Sequence, residues 1–204
     1  PGASRPPGAP RAGPAAPPGG GGDNDPIDVL QLNAAPCARG AVQRGHRVHA
    51  RGLVGIGLPR PVTPLRLDAA KDNRHDAFDM LTIWGHSAKA QLGGYAAPGV
   101  WMLGSQLKLN ERTPPGVLYA DLTACNEYEA GLGDAANIKC PTLLLLGERD
   151  MMTPVRATRE LSGAVRDVHT VILEGCGHAL MAEQPNGVLD ALSDLVHQAS
   201  EAVA

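Results

Sequence analysis

Four consecutive leucines, Leu143 to Leu146, set between Pro141 and Gly147, constrain this chain more than any other stretch. A short apolar run with no polar alternation suits a strand buried on both faces, as in a parallel sheet covered by helices. Asp150 stands just beyond that strand. In open α/β sheets functional groups gather outside the carboxyl ends of the strands, so this carboxylate is a candidate for chemistry. A second β-branched run, His169-Thr-Val-Ile-Leu173, leads into Gly175-Cys-Gly-His178. The glycines flanking Cys176 let the backbone turn tightly and swing the imidazole toward the same edge. The expected fold class is α/β, a mostly parallel sheet flanked by helices.

An acid and a histidine at adjacent strand ends have a joint use. The carboxylate accepts a hydrogen bond from one ring nitrogen, fixes the tautomer, and stabilises the imidazolium formed when the other nitrogen takes a nucleophile's proton. The sequence Ile138-Lys-Cys-Pro-Thr-Leu-Leu-Leu-Leu-Gly-Glu-Arg-Asp-Met-Met-Thr-Pro154, followed by Gly175-Cys-Gly-His178-Ala-Leu-Met-Ala-Glu-Gln-Pro185, resembles the carboxy-terminal third of an α/β-hydrolase. The resemblance is specific over residues 138–197 and looser over 47–137. It implies a Ser-Asp-His triad in that chain order, with Asp150 and His178 in the second and third places. It further implies hydrolysis of an ester or similar acyl bond, with no cofactor. Thr153 and Pro154 are expected to cap and open a helix running to about Val165. Asn186 is expected to cap a last helix with Val188, Leu189, Leu192, Leu195 and Val196 on its apolar face.

Two registers compete for the nucleophile. In the first, Gly85-His86-Ser87-Ala88-Lys89 resembles the elbow G-x-S-x-G, fed by Met80-Leu-Thr-Ile-Trp84 as a strand. Lys89 replaces the last glycine of a strained turn where helix and strand approach closely, and the interval to Asp150 is short for the intervening elements. In the second, Arg47-Val-His-Ala-Arg-Gly-Leu-Val-Gly-Ile-Gly57 resembles the strand that follows the nucleophile helix. Residues 76–137 are then a helical lid of three apolar segments, interrupted by Gly and Pro at 93–99 and 113–116, and Ser87 is an ordinary lid residue. No G-x-S-x-G precedes residue 47 in that register. Cys37, after Ile27-Asp-Val-Leu-Gln-Leu32, is a replacement thiol near the required place, but it lacks the preceding glycine, and an incidental or buried Cys is the expected identity.

The remaining expectations come from composition. Residues 1–22 hold seven Pro and seven Gly with no Leu, Ile, Val or Phe. They are expected to be a disordered tail, leaving residues 23–204 as one hydrolase-like domain. Nothing between Asp23 and His46 resembles an oxyanion loop of His-Gly or Gly-Gly type, so the chain reads as a hydrolase whose front is missing or replaced. A net charge of −3 excludes a polybasic nucleic-acid or membrane binder, and no apolar run has the ~20 residues of a membrane span. Four cysteines without C-x-x-C spacing, and no apolar signal at the amino terminus, suit a reducing, cytoplasmic location. No metal site is expected from Cys176 and His178. The expected partner is a small, rather hydrophobic substrate, suggested by Met80, Trp84, Trp101 and Met102 of the lid; oligomeric state is not readable. A non-catalytic hydrolase-like scaffold or binding module is the alternative, and an enzyme of the same fold acting on carbon–carbon or carbon–halogen bonds is a third.

Overall fold

The computed structural model describes residues 27–31 and 50–201, apart from Ala96 and Pro98. The expected tail of residues 1–22 and the candidate Cys37 lie outside the described residues. Four strands, β1 (Ile27–Gln31), β2 (Ala50–Val54), β3 (Thr142–Gly147) and β4 (Val168–Leu173), form one sheet in the order β1-β2-β3-β4. Every neighbouring pair is parallel, with Leu53 opposite Leu144 and Leu145 opposite Val171.

The leucine run behaves as a strand with two covered faces. Every residue of β3 is buried. Leu143 and Leu145 point into one core with Val54, Leu173, Val188 and Leu195, while Leu144 and Leu146 point into the other with Leu53, Ile138, Leu161 and Val165. This alternation follows from the two-residue period of a strand, and each fully buried Leu contributes roughly 1.5–3 kcal/mol.

Among the described residues, six helices lie between β2 and β3: α1 (Pro64–Lys71), α2 (His75–Trp84), α3 (Ala88–Gln91), α4 (Met102–Glu111), α5 (Val117–Asn126) and α6 (Gly131–Ala136). A third core of Ala69, Ala70, Ala77 and Leu122, with Leu67, Met80 and Leu118 against it, holds α1, α2 and α5 together. Residues 80–84, one candidate for a strand, are the last turns of α2. Asp76 in the first turn of that helix complements its dipole.

After β3 the chain forms a 3-10 turn, Val155–Thr158, then α7 (Arg159–Ala164); after β4 come α8 (Leu180–Glu183) and α9 (Pro185–Glu201). The single helix expected after Thr153 is thus split in two, and Asn186 lies inside α9 rather than at its cap. Val188 and Leu195 of α9 are buried and Leu192 packs beside them, but Leu189 and Val196 are exposed. A five-residue face was one stripe too wide, because 3.6 residues per turn carries Leu189 and Val196 out of the seam. No helix among the described residues is long and apolar enough to cross a membrane.

Candidate active site

The carboxyl ends of β2, β3 and β4 converge on one point. β3 ends at Gly147, and the chain turns back through Glu148 and Arg149 to Asp150; a Cβ at Gly147 would stand 2.2 Å from the Gly177 carbonyl oxygen and 2.6 Å from that of Cys176. Glycine here lets the loop after β4 pass directly over the end of β3, which brings His178 to Asp150. His178 Nδ1 donates to Asp150 Oδ2 at 2.8 Å. The Asp150 side chain is fully buried and that of His178 is 12% exposed. Asp150 Oδ1 accepts from the backbone N–H of Met152 at 2.8 Å and of Thr153 at 2.7 Å. This turn onto the residue's own following backbone fixes the carboxylate independently of the histidine.

The imidazole is backed by β2. Gly55, at φ 63°, leaves room for the ring: a Cβ there would lie 3.2 Å from His178 Cε1 and 3.3 Å from Nδ1. With Nδ1 committed to Asp150, Nε2 is the nitrogen left to exchange a proton. His178 lines a cavity of about 360 Å³ between the sheet edge and the helical insertion. Phe78, Leu81, Leu118 and Leu122 supply apolar wall, while Arg60, Arg66, Asn110, Thr113 and Asp121 supply polar groups.

Ser87 sits behind this point, at a different kind of turn. It follows a helix, not a strand, and is the N-cap of the short helix α3, its hydroxyl accepting from Ala90 N–H at 3.2 Å. The residue is 3% exposed, and among the described residues its hydroxyl makes no hydrogen bond to His178. The strand-to-helix elbow sketched for residues 80–89 is therefore absent, and its Lys89 raises no steric conflict because the turn is an ordinary helix start.

Glu183, which sequence reasoning left without a role, ties the two segments together. Its Oε1 accepts from Ser87 N–H and its Oε2 from Gly177 N–H, each at 3.1 Å, while Ala179 N–H donates to the Gly85 carbonyl at 2.8 Å. The only cue in the sequence is one carboxylate in the short apolar run that follows His178. Cys176 is 1% exposed, and burial first, then the nearby Glu183 and Asp150 charges, pushes its thiol up to about 12. It stays protonated at neutral pH and is inert as a nucleophile or ligand. Among the described residues no group of three or more His, Cys, Asp and Glu is arranged to hold a metal ion.

Residues 125–201 match the family model of TAP-like proteins, one of the abhydrolase families. The chain overlays on a thermophilic esterase with a TM-score of 0.69 and 22% identity, over 85% of this chain and 66% of that one. The fold is that of the α/β-hydrolases. Bromoperoxidase from Bacillus anthracis gives a TM-score of 0.72 at 15% identity, over 84% of this chain and 67% of that one. The enol-lactonase from Burkholderia xenovorans LB400 gives 0.68 at 18% identity, over 78% and 60%. The chain thus spans 60–67% of the length of those three structures. No curated protein matches it in sequence.

Proposed function

We propose that this chain is the base-bearing part of an α/β-hydrolase that cleaves an ester or similar acyl bond of a small, rather hydrophobic substrate. The observation that carries the reading is the 2.8 Å contact between His178 Nδ1 and Asp150 Oδ2 on the wall of a cavity with both apolar and polar lining. Asp150 holds the proton on Nδ1. His178 Nε2 takes the proton of the attacking group and returns it to the leaving oxygen. The helical insertion serves as a lid: α1, α2 and α5 give the cavity its far wall, and Phe78, Leu118 and Leu122 exclude water from the bond being broken.

Ser87 has the role of a helix cap in this reading, and the nucleophile belongs to the segment after β1, the strand paired with β2 and preceding it in the chain. Residues 32–49 contain Cys37 but neither Ser nor Thr. That composition favours a second reading, a binding module that retains the acid–base pair without the covalent step. Hydrolysis of p-nitrophenyl butyrate by the full chain separates the two. For the hydrolase, His178→Ala abolishes turnover, Asp150→Asn lowers kcat by about 10⁴-fold through the wrong imidazole tautomer, and Ser87→Ala retains it. No turnover in the unaltered chain leaves the binding module, and turnover that His178→Ala does not change refutes the assigned base.

A further inference from the structure

The cavity that His178 faces carries more positive charge than an apolar substrate requires. Arg60, in the segment after β2, and Arg66, on α1, both line it. The Arg66 guanidinium stands 5.5 Å over the Trp84 ring, so a cation–π contact holds one of its faces and leaves the edges of the fork for another group. Neither arginine takes part in the ion pairs formed among the described residues. Asp121, on α5, lines the same cavity without pairing to them, and its carboxyl is pushed up by burial, with no cation drawing it down. Burial is the largest influence on the Arg66 pKa and draws it downward, and the opposing electrostatic contribution of Cys125 does not reverse that direction. A desolvated guanidinium is costly when it stands alone and favourable when a carboxylate meets its planar fork with two parallel hydrogen bonds.

We propose that Arg66 is a specificity-determining residue that anchors a carboxylate, so that the cavity takes a small acyl compound with an apolar body and a carboxylate group. The apolar body lies against Phe78, Leu81, Leu118 and Leu122, and Arg60 adds a second positive charge to the same wall. This assignment rests on the cavity being the substrate site of the proposed hydrolase. It narrows the substrate from hydrophobic esters in general to those with an anionic group.

The test is read by binding, without turnover. Hexanoate and hexanamide have the same apolar chain and differ in charge, and each is titrated into the full chain at neutral pH by calorimetry and by tryptophan fluorescence. Trp84 lies beneath the anchor, and the other tryptophan, Trp101, is 74% exposed and serves as the internal reference. Hexanoate is expected to bind at least about tenfold more tightly than hexanamide, the scale of a charge-assisted pair. Arg66→Gln removes the preference by weakening hexanoate binding far more than hexanamide binding; Arg66→Lys, which keeps the charge but not the fork, retains part of it. Equal binding of acid and amide, binding of neither, or a preference that survives in Arg66→Gln overturns the proposal. An acid preference in a chain with no esterase activity removes the hydrolase reading alone, whereas turnover of neutral esters without an acid preference removes this inference alone.

Discussion

Glu183 is the residue whose loss the structure makes most consequential outside the Asp150–His178 contact. It is 9% exposed and accepts from two backbone N–H groups, those of Ser87 and Gly177. A hydrogen bond to a charged group contributes about 1.5–3 kcal/mol, and leaving a buried donor without a partner costs a similar amount. Two such bonds give an upper limit of about 6 kcal/mol for Glu183→Ala. Part of that is offset because the variant no longer buries a carboxylate, so the expected loss is about 3–4 kcal/mol. For a domain of this size each kcal/mol lowers Tm by about 2–4 °C, which predicts a fall of roughly 6–16 °C. Glu183→Gln keeps one carbonyl acceptor and should fall between the two.

The assay is urea unfolding followed by tryptophan fluorescence, with the m value checked for constancy so that the change is one of stability and not of mechanism. Ser87→Ala is the internal comparison: it removes only the cap on Ala90 N–H, a loss of about 1 kcal/mol. A Glu183→Ala variant within about 0.5 kcal/mol of the unaltered chain, or one less affected than Ser87→Ala, would refute the clamp. Because Gly177 directly precedes His178, Glu183→Ala should also loosen the imidazole, and any esterase activity should fall further than the stability loss explains.

Gly55→Ala combines a left-handed backbone at φ 63° with a new methyl 3.2 Å from His178 Cε1; a loss of about 1–2 kcal/mol with displacement of the ring is expected, and unchanged stability and unchanged turnover together would contradict it. The contact between α2 and α4 should depend on pH. His75 Nε2 meets Glu111 Oε1 at 3.0 Å and His75 Nδ1 meets Asp79 Oδ2 at 3.2 Å, the Glu111 hydrogen bond being the largest cause of a His75 pKa raised above 6.5, while His75 lowers that of Glu111 below 4.5. The His75 contribution is complete below its unfolded value of 6.5 and is lost as pH rises through the raised folded value. The Glu111 contribution is present above 4.5 and is lost as pH falls through its lowered folded value. The Tm difference between the unaltered chain and His75→Gln should therefore shrink as pH rises above neutrality; a constant difference would exclude the linkage.

The elements legible in the sequence are those whose signal is local. Leu143 to Leu146 suits a doubly covered strand, and the boundaries that favour this over a helix, Pro141 and Gly147, stand in the sequence itself. The meeting of Asp150 and His178 follows from strand order, because parallel neighbours bring their carboxyl ends to one edge. Residues 80–84 were ambiguous because a short apolar run has the same composition in a helix and in a strand. The register was decided from outside it, by the start of α2 at His75 and the packing of Met80 against the core that α1 and α5 share. Ser87 shows the same effect: a Ser ahead of a short helical run is a cap signal, and the surrounding glycine and histidine gave it the look of an elbow. Glu183 was illegible because its partners are 96 and 6 residues away and both are backbone groups, which have no sequence signature.

The contact between Asp150 and His178 is held in place by several residues of the described part of the chain. Met152 and Thr153 fix Asp150, Gly55 and Gly147 leave room for the imidazole and its loop, and Glu183 fixes the turn before His178. Stability measurements on Glu183 or Gly55 variants therefore report on this contact, while esterase measurements report on the proposed covalent step. A chain can thus retain an ordered Asp150–His178 contact and an arginine-lined cavity without turnover, and binding of a carboxylate probe is the measurement that still reads the site in that case.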